Sequence, residues 1–490
     1  MIPTPSIDWL ALSPTLAPLA AAGLALLLSV TLPQGWRRGV AAFVVAAGFA
    51  VAFALAAYVY WKSPDARGIV ADAARRDRLS AFAQLIIAGG GLLTVGIAYS
   101  DNPKQEHVGE YFALLATAAA GMMFMVSATS LITLFLGLEW FSISLYVLCA
   151  IDIDLETSLE SGLKYLIVGS FGSAVLLFGF ALVFGATGHL DLAGIGRVGA
   201  GLEDERMLVV GLAMVLTGLG FKASAAPFHM WTPDVYQGSP TPVTAFMSAA
   251  TKVAALVVTL RVLNTAFPAQ EELWTAAVAA LAVASLAIGN LAALVQRNVK
   301  RLLAYSSVSH AGFMLIPIAA GNELGGKALL YYLIPYGAAS LGAFAVVAAR
   351  ERELGEPVTL DNLGGMGWER PFLGFALALF AFAFIGLPPG GMFTGKLYAF
   401  SAAVDADWTW LVIVGVVATA LSVYYYLAII RALYMRSELE LRLAVAGGSP
   451  PRDMLLSASV AVALGVVFAS FVFVEPLIDL AEKAAGSIPL

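Results

Sequence analysis

Four lysines are the residues of this sequence best suited to moving protons, because each falls in an apolar stretch where a permanent charge is costly. The chain has nine lysines, and Lys164, Lys222, Lys252 and Lys396 sit in such stretches, whereas no arginine lies at the middle of one. Surroundings that merely tolerated stray cations would hold arginine too. Lysine gives up its proton when desolvated, while arginine stays charged, so a site that loads and unloads protons selects lysine. Lys252 has no charged neighbour between Asp234 and Arg261, so its side chain cannot easily reach an aqueous interface. Such a position costs about 2.5–3.5 kcal/mol on insertion scales. Glu139 is the only acid between Glu110 and Asp152 and carries a comparable cost. Intramembrane ionisable groups mark ion or proton pathways by default; the alternative is a buried ion pair that only fixes helix packing. Lys164 is weaker, since it follows Glu160 by one helical turn and could be one half of an interfacial pair.

The remaining chemistry is sparse. Of four histidines, His107 and His189 fall in loops, while His229 and His310 fall in or near apolar segments. That is too few for a haem–copper centre. His229 comes seven residues after Lys222 and would share its face on an unbroken helix, although Pro227 intervenes. It is a candidate proton carrier, with an ordinary hydrogen-bonded histidine as the alternative. Tyr305 is either a relay hydroxyl or an interfacial anchor. Cys149 is the only cysteine, so it forms no internal disulfide and holds no metal cluster alone. No phosphate loop, dinucleotide fingerprint, CxxC pair or HExxH occurs. Redox catalysis has no visible equipment here, and the energy for transport must come from a partner or an ion gradient.

The elements that carry these groups follow from composition. Of 490 residues, 60% are hydrophobic and 12% charged, about half the charge of a soluble domain. A net charge of −6 without a basic patch argues against nucleic acid as a partner. The first basic residue is Arg37, so no cleavable signal peptide of the usual kind is expected and the first apolar run reads as a span. Runs long enough to cross a bilayer as helices are expected at 14–32, 39–61, 80–98, 111–128, 130–150, 163–184 and 207–231. They continue at 242–263, 274–296, 302–320, 327–349, 371–403, 409–434 and 454–475. The expected fold is an all-α integral membrane protein of about 14 transmembrane helices.

Two of these spans carry breaks. The seventh contains GFKASAAPFHMW (Gly220 to Trp231) and the twelfth GLPPGGMFTGK (Gly386 to Lys396); proline and clustered glycine interrupt a helix. Each break has a lysine beside it, and the two lie five spans apart. A five-helix unit repeated in tandem is inverted in the membrane, as in many transporters. Spans 4–8 and 9–13 are therefore expected as inverted repeats, against the alternative of two ordinary proline kinks. The implied organisation is one membrane domain with an N-terminal three-helix segment (1–105), repeat 1 (106–265), repeat 2 (266–435) and a C-terminal helix (436–490). Lysine and arginine favour the connections after odd-numbered spans: Arg37, Arg38, Lys104, Arg297, Lys300, Arg301, Arg350, Arg352, Arg370, Arg431, Arg436, Arg442 and Arg452. The second connection, with Lys62, Arg67, Arg75, Arg76 and Arg78, is the exception. The balance puts odd connections inside and both termini outside.

With GFKASAAPFHMWTPDVYQGSPTPVTAFMSAATK (Gly220 to Lys252), GLEW (Gly137 to Trp140), KRLLAYSSVSHAG (Lys300 to Gly312) and GLPPGGMFTGK in this order, the chain resembles the antiporter-like membrane subunits of respiratory complex I. PDVYQGSP, and lysine rather than glutamate in the twelfth span, point to the N branch of that family over its L and M sisters and Mrp-type antiporters. The resemblance implies a line of charged residues along the membrane midplane. Glu139 and Lys222 would be a coupling pair, Lys252 central and Lys396 the terminal exchange site, with Lys164, His229 and Tyr305 on the proton path. It implies a proton-translocating part of an NADH:quinone oxidoreductase in the bacterial inner membrane, with other membrane-arm and peripheral-arm subunits as partners. FMN, iron–sulfur clusters and quinone would belong to those subunits, with no cofactor in this chain. The alternatives are a subunit of an Mrp-type cation/proton antiporter and a scaffold subunit that pumps nothing.

Overall fold

A backbone that crosses lipid must satisfy its own N–H and C=O groups, and a helix does so within one segment. The computed structural model describes residues 7–63, 66–70, 73–101, 107–202, 205–435 and 453–488, and these are nearly all helical. The N-terminal half holds α1 (Trp9–Thr31), α2 (Gln34–Lys62), α3 (Arg78–Ala98), α4 (Val108–Val126), α5 (Leu131–Cys149), α6 (Glu156–Thr187) and α7 (Leu192–Gly199). Next come α8 (Arg206–Lys222), α9 (Trp231–Gly238), α10 (Thr241–Phe246), a π-helical turn (Met247–Thr251) and α11 (Lys252–Ala266). The second half holds α12 (Glu271–Leu294), α13 (Val299–Ala319), α14 (Glu323–Leu354), α15 (Met366–Glu369), α16 (Pro371–Ile385), α17 (Gly391–Asp405) and α18 (Thr409–Tyr434). The chain closes with α19 (Met454–Val472) and α20 (Val474–Ala485).

Twelve helical stretches among the described residues are long and apolar enough to cross a membrane. The seventh expected span (207–231) is α8 followed by the break at 223–230, with α9 starting only at its end, and the twelfth is two shorter helices, α16 and α17, flanking residues 386–390. Gly386 takes φ +86° at the end of α16, a left-handed conformation that glycine adopts without a Cβ penalty. Helices α6 and α14, at 32 residues each, outrun their apolar windows. Their polar ends are stabilised by ion pairs such as Lys164–Glu160 and Arg350–Glu369, which a search for apolar runs leaves out.

Three features depart from the sequence expectations. The connection at 67–76 contains a two-stranded antiparallel ribbon, β1 (Arg67–Ile69) paired with β2 (Ala74–Arg76). Amphipathic helices α7 and α20 go unseen by a search for long apolar runs because only one face of each is apolar. Past residue 453 there are consequently two helices where one was expected. Lys104, Arg436, Arg442 and Arg452, counted for orientation, lie outside the described residues.

Burial is graded from the centre outward. The stretch Thr241–Ala266 is wholly buried in its most apolar window, and α13 and α14 are 94% buried, whereas α1, α2, α18 and α19 are 33–39% buried. The residues best shielded from lipid are therefore the stretch that carries Lys252 and its two flanking helices. Small residues permit the close helix contacts, as in other membrane bundles. A Cβ at Gly137 would stand 2.8 Å from Met125 Cα, so only glycine lets α5 approach α4 closely enough to set Glu139 at its depth.

One ion pair ties the N-terminal segment to this centre. Arg261 Nη1 and Nη2 donate to the two oxygens of Asp77 at 2.7 and 3.0 Å, and Nη2 donates to Ser80 Oγ at 2.9 Å. Asp77 caps α3, and both charged side chains are 0–2% exposed. Removing one partner strands a buried charge, which typically costs about 3–5 kcal/mol. Asp77→Ala is expected to lower the melting temperature of the purified complex and the amount assembled on native gels; wild-type values for both would refute a structural role.

Candidate functional site

Helix α8 ends on Lys222, and its position there decides what the ammonium meets. Lys222 is 3% exposed, and its Nζ donates to Ser142 Oγ at 2.8 Å. The rings of Phe141, Tyr146, Tyr165 and Phe221 surround it at 5.5–5.8 Å, an arrangement that favours a cation electrostatically. Ser142 lies one turn beyond Glu139 on α5, and its hydroxyl donates a hydrogen bond to the Leu138 carbonyl. Glu139 Oε1 is buried without a hydrogen-bond partner. The expected Glu139–Lys222 pair is thus not a contact ion pair: among the described residues no bridge within 4.0 Å joins them, and Ser142 takes the ammonium.

Lys252 opens α11 directly after the π-helical turn. A π-turn adds a residue and rotates the helix beyond it, a device frequent at functional sites. The side chain is fully buried, and Nζ donates to the Ala223 carbonyl, the C-cap of α8, at 2.9 Å. The break after α8 frees that carbonyl, and the negative end of the helix dipole attracts the ammonium. Ser248, inside the π-turn, is hydrogen-bonded to Ser340 of α14 at 2.6 Å.

Lys396 repeats this arrangement at the second break. From α17 its Nζ donates to the carbonyl of Ile385, the last residue of α16, at 2.8 Å, and lies 3.4 Å from both Phe384 O and Thr419 Oγ1. The Phe313 ring is 4.0 Å away. Lys252 and Lys396 therefore both rest on the carbonyl end of an interrupted helix. Only a structure shows this, because Ala223 and Ile385 contribute through the backbone.

Sequence reasoning gave His310 little weight, yet it holds the centre of the second half. His310 Nδ1 is 2.9 Å from Tyr332 Oη, and Nε2 is 3.1 Å from Tyr426 Oη. Tyr426 is hydrogen-bonded to Ser306 at 2.5 Å. Beside it, Tyr425 donates to Asn290, and Asn290 donates to Ser309, both at 2.9 Å. The signal for His310 available in the sequence was its place in SSVSHAG, whose serines and histidine fall on a fully apolar span.

The other candidates lie nearer the rim. Lys164 is 43% exposed and bridges Glu160 at 2.7 Å and Asp234 at 2.8 Å; Arg301 holds the other oxygen of Asp234 at 2.5 Å. His229 sits in the break, off the Lys222 helix, so the two share no helical face. Its Nδ1 is buried without a partner, and its ring is 6.4 Å from that of Tyr305. Tyr305 in turn lies under the Arg301 guanidinium at 5.9 Å. Lys300, counted in the sequence as a loop cation, is buried. It donates to Ser239 O at 2.8 Å and Thr241 Oγ1 at 2.9 Å and sits 3.7 Å from Glu351. Its position at the end of an apolar run concealed that. Among the described residues no three His, Cys, Asp or Glu side chains converge to hold a metal ion.

Comparison with known proteins bears on what this arrangement serves. Residues 128–422 match the family described as "NADH:quinone oxidoreductase/Mrp antiporter, TM". The chain is 40% identical over 423 residues to NADH-quinone oxidoreductase subunit N of Trichlorobacter lovleyi, covering 85% of this chain and 86% of that one. It is 43% identical over 392 residues to the protein of the same name from Salinibacter ruber, covering 79% and 77%. A chain of respiratory complex I from Thermus thermophilus with bound Aureothin superposes with a TM-score of 0.80 at 34% identity, covering 96% of this chain and 99% of that one. A chain of the Mrp complex from Dietzia sp. DQ12-45-1b superposes with a TM-score of 0.86 at 21% identity, covering 98% and 97%, a likeness of fold alone.

Proposed function

This chain belongs to the NADH:quinone oxidoreductase/Mrp antiporter transmembrane family, in its subunit N branch, and on that basis we propose that its protons travel between the two broken helices. It is a proton-translocating membrane-arm subunit of NADH:quinone oxidoreductase, working beside other subunits of that complex. NADH oxidation and quinone reduction, with FMN, iron–sulfur clusters and quinone, are assigned to the partner subunits. The membrane is the bacterial inner membrane, with both termini on its outer side. Residues 106–265 and 266–435 are read as inverted repeats, which the matching breaks support.

In this reading Lys252 and Lys396 are the two storage sites. Each ammonium is stabilised by helix-end carbonyls and destabilised by desolvation, so a modest change in hydration switches its protonation. The His310 network, with Tyr332, Tyr426 and Ser306, is the path between them: a neutral imidazole accepts a proton on one nitrogen and gives one up from the other. Lys222 and Glu139 form the control element, and Lys164, His229 and Tyr305 the rim. Because no bridge within 4.0 Å joins the ammonium to the carboxylate, their coupling is weaker than the about 4 kcal/mol of two charges in contact at 4 Å and an effective dielectric near 20. The observation that carries the proposal is the shared setting of Lys252 and Lys396, each donating to the carbonyl end of an interrupted helix.

The test compares Lys396→Leu, Lys396→Glu and His310→Phe in reconstituted vesicles at matched complex content. Leucine at 396 and phenylalanine at 310 should lower proton pumping at least about tenfold, equivalent to about 1.4 kcal/mol of added barrier. Glutamate at 396 keeps a titratable group and should retain more transport than leucine. Pumping at wild-type levels in the leucine variant would take Lys396 off the path. Sodium-dependent transport without quinone would favour the antiporter reading.

A further inference from the structure

Helices α2, α3, α14, α19 and α20 enclose an apolar groove of about 500 Å³ that the proton path does not use. Its walls include Phe82, Gly89 and Leu93 of α3, Ile334 and Ala338 of α14, and Leu480 of α20. The groove opens past Trp61, which is 67% exposed, and Leu92, which is 37% exposed, both on membrane-spanning helices, so its mouth faces lipid. From Phe82 to Leu93 it runs about 16 Å along α3, roughly half of the ~30 Å hydrocarbon layer. That is the depth of one leaflet.

A charge stands at one end. Arg78 begins α3 one turn before Phe82 and lies over the ring of Tyr60, another groove residue, at 5.9 Å. Arg78 makes no ion pair among the described residues, and its Nε is buried without a hydrogen-bond partner. Nε of Arg76 and of Arg261 is likewise without a partner, but each of those guanidiniums is in an ion pair, Arg76 with Asp8 and Arg261 with Asp77. The Tyr60 hydroxyl is committed to the Leu480 carbonyl at 2.7 Å. The guanidinium beside Tyr60 thus stands without an ion pair among the described residues at the end of an apolar slot about one leaflet deep.

We propose that this groove is a binding site for an anionic phospholipid, with an acyl chain along Gly89 and Leu93 and the phosphate on Arg78. A guanidinium pairs with phosphate in a charge-assisted, bidentate geometry, and glycine in the wall leaves width for the chain. The floor reaches Ala249, inside the π-turn that precedes Lys252, so the lipid packs against the backbone that positions that lysine. A quinone fits less well: its second carbonyl, deep in the slot, would meet no free donor.

The test uses the intact complex in phosphatidylcholine vesicles doped with phosphatidylglycerol or phosphatidylcholine bearing a diazirine on one acyl chain. Cross-links are mapped by mass spectrometry. Phosphatidylglycerol should label α3 and α14 peptides around Gly89 and Ala338 more strongly than phosphatidylcholine. Arg78→Gln should reduce that labelling about tenfold and abolish the headgroup preference, while Arg78→Lys should keep most of it. Gly89→Phe, which fills the slot, should suppress labelling by both lipids. Equal labelling by the two headgroups in the wild type, labelling unchanged in Arg78→Gln, or no labelling of these peptides would each overturn the proposal. So would labelling by a diazirine-bearing quinone in place of the phospholipids.

Discussion

Replacing Lys252 with arginine is expected to stop proton translocation nearly as completely as replacing it with alanine. Lys252 is fully buried, and the Ala223 carbonyl at 2.9 Å is its hydrogen-bond partner. Arginine can keep a hydrogen bond to that carbonyl and can keep the positive charge, so a purely structural role would survive the change. It cannot release the proton at any working pH. Alanine removes the charge and leaves the carbonyl unsatisfied, at a cost of about 1–3 kcal/mol. The two variants therefore separate titration from packing. Both should cut pumping at least about tenfold, with the arginine variant as abundant on native gels as wild type. Wild-type pumping in Lys252→Arg would remove proton exchange from this site.

The second large effect is expected at the control element. Lys222→Ala and Glu139→Gln should each depress both quinone-reductase activity and pumping while the complex assembles. The geometry adds a third variant that the sequence did not suggest. Ser142 holds the Lys222 ammonium at 2.8 Å, and Ser142→Ala would leave that ammonium with aromatic rings and the more distant Glu139 carboxylate. A free ammonium should move toward the unpartnered Glu139 Oε1, so Ser142→Ala should alter the pH profile of activity more than its maximum. Glu139→Gln, which removes the charge, should lower the maximum itself. An unchanged pH profile in Ser142→Ala, together with full activity in Glu139→Gln, would exclude control by this cluster. Equal loss of assembled complex in all three would assign these residues to packing.

Much of the fold was legible because lipid constrains a chain more severely than water does. Every expected span coincides with a helix or a helix pair, since an apolar run of sufficient length has no other way to satisfy its backbone in a bilayer. The breaks were legible as well, because proline and glycine act locally. The ribbon at 67–76 and helices α7 and α20 were not, because their apolar faces are short and one-sided. Hydropathy summed over a long window averages such faces away.

Residue types and their order were enough to say which groups can titrate: lysines without charged neighbours, and one isolated glutamate, each at a position where a charge is kept only for a purpose. What those groups touch came from the packing of the helices. The partners of Lys252 and Lys396 are backbone carbonyls of Ala223 and Ile385, 29 and 11 residues away in the chain, and a carbonyl leaves no mark on residue type. Ser142 holds the Lys222 ammonium, His310 joins Tyr332 to Tyr426, and Lys300 is buried against Ser239 and Thr241. Each depends on how helices rotate against one another. The physical reason is that hydrophobic burial in lipid fixes the depth of a residue along the membrane normal, while its rotational setting is set by close packing at glycines, π-turns and breaks.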